Sequence, residues 1–194
     1  MNTTFKISSL MILFFISIGF TSCKKDNPVP AVNQEEFDKT VLTFVELEAN
    51  GNQLVEHGTA LTVTFDAKGK PDKSHYHLTV GKQYRLNISL YSGGELINDE
   101  IIEETSAHQI FFTGAPEDVL NYTYEDNIGL KGVLNVLKET ETFDLSVILR
   151  HGIRKTNPLL PWNSNRAEYT KHGGSDDLNV TFKLHPVEDG EHDH

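Results

Sequence analysis

The sequence predicts an all-β domain, a single antiparallel β-sandwich of Greek-key or immunoglobulin-like type, behind a lipoprotein signal peptide. Three observations carry that expectation. Hydrophobic residues recur with period two in one segment after another, turn residues interrupt them about every ten positions, and an apolar run with a cysteine behind it opens the chain. Period two marks an extended strand, because successive side chains leave opposite faces. A chain of 194 residues, 38% hydrophobic and 23% charged, has room for one well-buried core and little more.

The leader comes first. Residues 1–20 carry one cation, Lys6, and then an apolar run over residues 10–20, with no acid before Asp26. At a helical rise of about 1.5 Å that run covers roughly half of a hydrocarbon core about 30 Å thick, so it reads as a secretory leader to be removed. Behind it stands Phe20-Thr21-Ser22-Cys23, which holds the chain's only cysteine and resembles a bacterial lipobox. A lone cysteine forms no internal disulfide, whereas acylation of its thiol accounts for both its number and its position. Each buried methylene contributes about 0.8 kcal/mol, so the two or three acyl chains of that class would hold the protein on a membrane. Lys24-Lys25-Asp26-Asn27-Pro28-Val29-Pro30 buries nothing and reads as a tether. The expected organisation is a leader over residues 1–22, lipidated cysteine and tether over 23–36, a β-sandwich over 37–187 and an acidic, histidine-bearing tail over 188–194.

Within the sandwich the alternation is clearest at residues 61–65, 84–90, 143–149 and 178–184. There Leu61, Val63 and Phe65, or Leu178, Val180, Phe182 and Leu184, form one face against polar neighbours. Weaker strands are expected at 41–47, 75–80, 96–102, 109–112, 120–124 and 132–137. The breaks hold turn residues such as Asn50-Gly51-Asn52, Ser92-Gly93-Gly94 and Glu125-Asp126-Asn127. Helix should be scarce, with one turn at 34–39 and a short one near 116–119.

A net charge of -11 and a pI near 5.2 exclude a protein whose task is gripping nucleic acid, since phosphate neutralisation needs a basic face. G-x-S-x-G and H-E-x-x-H are missing, and the only cysteine is assigned to the lipid, so the expectation is a non-enzyme. The longest stretch without strand pattern is 151–174, and loops of that length are usually functional. From Arg150 to Lys171 it sets Arg150, Arg154, Lys155, Arg166 and Lys171 against one acid, Glu168. It also contains the only tryptophan. Trp162 and Tyr169 are therefore the candidate contact anchors, with Arg154, Lys155 and Arg166 as charge partners for an acidic partner or an anionic ligand. The plainer alternative is an ordered hairpin whose Trp162 plugs the end of the sandwich.

The alternative function is metal capture. His75 and His77 lie two apart on an expected strand, which aims both imidazoles at one face and suits Zn²⁺ or Cu²⁺. Further ligands would come from His57, His108, His151 or His172. The tail adds His192 and His194 among carboxylates, while Asp99, Glu100, Glu103 and Glu104 read as a solubilising strand edge. No resident cofactor is otherwise implied.

The segments Ala107-His108-Gln109-Ile110-Phe111-Phe112, Leu149-Arg150-His151-Gly152-Ile153-Arg154-Lys155, Leu160-Pro161-Trp162-Asn163 and Leu178-Asn179-Val180-Thr181-Phe182 resemble small Bacteroidota lipoproteins of unassigned activity. Cys23-Lys24-Lys25-Asp26 is similar to the start of many of them. Some carry a "type 1 periplasmic-binding fold" label, and some accompany TonB-dependent outer-membrane receptors. The resemblance implies an outer-membrane lipoprotein, on the periplasmic face or the cell surface, with a receptor as partner. The fold label conflicts with the residues: two α/β lobes need helices between buried parallel strands, and this chain shows alternation and too little length.

Overall fold

A computed structural model of the chain describes residues 36–190. The leader, Cys23, most of the tether, and His192 and His194 lie outside the described residues. The described part is an all-β sandwich. Its first hairpin joins β1 (Lys39–Asn50) to β2 (Gln53–Asp66) through a two-residue turn. Then come β3 (Tyr76–Thr79), β4 (Gln83–Ser92), β5 (Glu95–Leu96), helix α1 (Asn98–Glu103), β6 (Gln109–Thr113), β7 (Leu120–Tyr124), β8 (Lys131–Val136) and β9 (Phe143–His151). Helix α2 (Arg166–Tyr169) and a 3₁₀ turn (Thr170–His172) precede the last strand, β10 (Ser175–Val187).

One sheet has the order β2-β1-β4-β8-β7, with the short β5 paired to β4, and the other the order β3-β10-β9-β6. All pairings are antiparallel except β3 with β10, which run parallel because the chain crosses between sheets from β2 to β3. Inward residues of both sheets meet in one core that includes Leu42, Phe44, Val63, Leu86, Ile88, Leu145, Val147, Val180 and Phe182. Phe182 is its centre, with the rings of Phe44, Phe65 and Tyr76 at 5.7–6.5 Å in tilted or edge-on contact. Among the described residues no helix is long and apolar enough to cross a membrane.

Three local expectations are corrected. Residues 96–102 do not form a strand, for β5 stops at Leu96 and α1 follows. Ile97 and Ile101, one helical turn apart, are its buried positions. Asn98 docks the helix by accepting from the Leu90 amide at 2.8 Å and donating to the Ile88 carbonyl at 2.7 Å. The helical turn at 34–39 is not formed over its described part: residues 36–38 are irregular and Lys39 already opens β1. Near 116–119 the chain makes a tight turn with Asp118 at φ 60°, a left-handed conformation no helix contains.

Candidate functional site

The connection from β9 to β10 folds back onto the outer face of sheet β3-β10-β9-β6. Part of that face is apolar because β6 and β9 carry Phe111 and Ile148 there, and both side chains need cover. Ile153 and Tyr169 bury them, with Leu160 packed alongside, and the Tyr169 ring stacks on Phe111 at 5.0 Å. The same segment guards the free edge of β6. The Trp162 carbonyl accepts from the Phe112 amide at 2.8 Å, and the Leu160 carbonyl accepts from Gln109 Nε2 at 2.9 Å.

Arg150 pins this flap from below. Its side chain is 7% exposed and donates to Asp176 Oδ1 at 2.6 Å, Gly173 O at 3.0 Å and Gly174 O at 2.5 Å. Its guanidinium also lies 5.4 Å from the centre of the Tyr169 ring. The capping box of α2, with Asn165 and Glu168 each bonding the other's backbone amide, fixes the outer turn.

The expected contact residues therefore divide. Tyr169 is 1% exposed and belongs to the packing, which corrects its reading as a surface anchor. Trp162 is half-buried against the main core and lines a groove with Leu120 and Leu137. Lys155 donates to the Asn127 carbonyl, and burial lowers its ammonium pKa. Arg166 donates to Asp176 Oδ2 at 2.7 Å while staying mostly in solvent. Arg154 is exposed, and its side chain donates to the Lys171 carbonyl at 3.3 Å.

Five of the described histidines fall into two groups. His75 and His77 share one side of the chain with ring centres 4.9 Å apart, as their spacing requires. The neighbour that joins them is His185, which pairs with His77 across the β3–β10 ladder at a ring distance of 5.3 Å. His57, one of the expected supplements, is exposed on β2 beside Glu48.

The second group was not anticipated as a unit. Glu104 ends α1, His108 precedes β6, and His151 ends β9; one ligand atom from each lies within 4.8 Å of the others. His108 is 0% exposed, its Nδ1 sits 3.2 Å from the Glu104 carbonyl, and its Nε2 makes no hydrogen bond among the described residues. His151 sits with its ring 4.5 Å from that of His108. Its Nε2 lies 3.4 Å from Glu104 Oε2 and its Nδ1 lies 3.0 Å from Asp177 Oδ2. Asp177 is the extra residue of a β-bulge in β10, where the register skips between Asp176 and Leu178. The bulge turns two consecutive aspartates to different tasks: Asp176 meets Arg150 and Asp177, its side chain 0% exposed, meets His151. Burial first, and then the adjacent His151, hold the His108 imidazole below its ordinary pKa.

The sequence matches no family profile and no curated protein, and the fold matches no solved structure.

Proposed function

We propose that the chain is a non-enzymatic, lipid-anchored binding module of the outer membrane that works beside an uptake receptor. The observation that carries this reading is the apolar leader with Cys23 behind it and a folded domain beginning at Lys39. Between those two points the sequence leaves a tether whose full length is at most roughly 55 Å. Its resemblance to small Bacteroidota lipoproteins supports the compartment and the partner. The pinned flap supports a binding role, since a preorganised surface loses little freedom on docking, and it presents Arg154, Arg166 and the edge of Trp162.

The anchor is tested by expressing the chain with its leader in a Gram-negative host fed a labelled fatty acid. Label should enter the wild type, which should fractionate with the outer membrane, and Cys23→Ser should lose both properties. An unmodified, uncut chain in the soluble fraction would overturn the reading. For the flap, replacing Arg154 and Trp162 together with alanine should abolish co-purification with the receptor while unfolding stays cooperative.

A second reading is favoured by the placement of His185 beside His77. The imidazole of His77 on β3 lies between those of His75, just before the strand, and His185 on β10, and with His192 and His194 only a few residues further along the chain these suit loose capture of Zn²⁺ or Cu²⁺. Micromolar Zn²⁺ or Cu²⁺ binding lost in His75→Ala/His77→Ala supports this reading, and binding no tighter than roughly millimolar removes it.

A further inference from the structure

We propose that Glu104, His108 and His151 form a site for one divalent transition-metal ion of the zinc class, with Asp177 supporting His151 from behind. The site is independent of the surface histidines: His151 pairs with Ser175 and His77 with His185, ten residues further along β10, about 33 Å away at strand rise. It also stands whether or not the chain is lipidated.

Four features argue for an ion there. The first is tautomer. A carbonyl oxygen can only accept, so the contact from His108 Nδ1 to the Glu104 carbonyl requires the proton on Nδ1 and leaves a lone pair on Nε2. The Asp177 carboxylate does the same for His151. Both rings are thus held with Nε2 as the donor atom by an oxygen behind them, the arrangement that orients histidine ligands in metal sites.

The second is the cost of the alternative. A plain ion pair between Glu104 and His151 would satisfy those two groups and leave His108 Nε2 without a hydrogen bond in a fully buried ring, its desolvation uncompensated. A metal ion uses that lone pair. The third is charge: the carboxylates of Glu104 and Asp177 both lie against His151, 3.4 and 3.0 Å from its ring nitrogens, and a dication bound there offsets their negative charge.

The fourth is size. Ligand atoms at about 2.0–2.1 Å from a tetrahedral ion lie about 3.3 Å apart, and His151 Nε2 and Glu104 Oε2 are already separated by 3.4 Å. Two nitrogens and one oxygen exclude Ca²⁺ and Mg²⁺ as preferred occupants, since those ions demand an oxygen shell. Glu104 is exposed, so the site opens to solvent on its side and a water can complete the coordination.

The test uses the polypeptide from residue 24 onward, which contains every element described above. Zn²⁺ affinity is measured by competition with a chromophoric chelator, and Co²⁺ is added separately to read its visible absorption. The expectation is one tight equivalent with the intense bands of four-coordinate Co²⁺. Asp177→Asn should weaken binding about 10–100-fold, and His108→Ala should weaken it further. Glu104→Gln alters an exposed side chain at a helix end, so it tests the same ligand set without threatening the core, and it should also weaken the site. His75→Ala/His77→Ala should leave this equivalent intact, which separates it from surface capture. Absence of a stoichiometric equivalent tighter than about 100 μM in the wild type would overturn the proposal, as would binding that survives both Glu104→Gln and His108→Ala in folded protein.

Discussion

Removing Arg150 should unlatch the flap. The side chain is 7% exposed, donates to Asp176, Gly173 and Gly174, and sets its guanidinium beside Tyr169. Breaking a buried ion pair from one side costs about 3–5 kcal/mol. Two features pull Arg150→Ala toward the lower end: Asp176 keeps Arg166, and the carbonyls of Gly173 and Gly174 lie near enough to the surface to take water. The expected loss is about 3 kcal/mol. Arg166→Ala touches the same carboxylate from a side chain that is 70% exposed, so solvent screening limits its effect to about 1 kcal/mol or less. With a urea slope of about 2 kcal/mol/M, the midpoints should fall by about 1.5 M and by less than about 0.5 M respectively. The double variant strips both guanidinium groups from Asp176 and should lose more than the two singles added together, by roughly 1–2 kcal/mol. Limited proteolysis supplies a second readout, because a flap without its latch should be cut between residues 154 and 165 well before the sandwich. Equal midpoint shifts for Arg150→Ala and Arg166→Ala, or a flap as resistant as in the wild type, would refute the latch.

Gly174→Ala and Gly93→Ala separate two costs at left-handed positions. A Cβ at Gly174 would lie 2.1 Å from the His151 carbonyl oxygen, whereas at Gly93 it would meet nothing within 4 Å. Both pay about 1–2 kcal/mol for the backbone conformation, and Gly174→Ala should pay a further 1–3 kcal/mol, roughly, seen as a distinctly lower melting temperature; equal melting temperatures would contradict the close approach. Tyr76 is pushed up to about 12 by burial and by its hydrogen bond to Asp72. Between pH 10 and about 12 the folded state keeps a proton that the unfolded state releases, so this contribution is complete below pH 10 and is lost as pH rises through 12. A tyrosinate absorbance titration should show late-titrating tyrosine in the folded chain, earlier in Asp72→Asn; complete ionisation near pH 10 while the protein stays folded would contradict it.

The strand framework was legible because most strands expose one face. Alternation at 84–90, 143–149 and 178–184 falls within β4, β9 and β10, and residues 120–124 coincide with β7. The failures lie where a second force overrides the pattern. Leu96, Ile97, Ile101 and Ile102 satisfy neither period cleanly, and Asn98 settles the matter by taking over hydrogen bonds on β4 that a longer strand would have supplied. Ile148 alternates with Val147 and Leu149 on the parity of Asp144 and Ser146, and Phe111 stands between Ile110 and Phe112, yet both are buried. Apolar residues on both parities mark a strand covered on both sides, and the cover had to be the long segment after β9. The run Ile110-Phe111-Phe112 and the triplet Val147-Ile148-Leu149 were the available signals that Tyr169 packs inward.

The histidine sites follow a different logic, because their residues come from distant parts of the chain. His75 and His77 could be read as neighbours from spacing alone, but His185 reaches them only through the parallel β3–β10 pairing, and no local pattern specifies which strand crosses to which. Glu104, His108 and His151 are further removed still. Glu104 was assigned to a strand edge and becomes a ligand candidate only once α1 ends there. Asp177 acquires its role from a one-residue bulge, which inverts the direction that alternation from Leu178 backward would give it. A bulge that leaves Asp176 on Arg150 and turns Asp177 onto His151 couples the latch of the flap to the support of the imidazole. Loss of the latch should therefore loosen the His151 ring as well, and Arg150→Ala should weaken Zn²⁺ binding without touching a ligand.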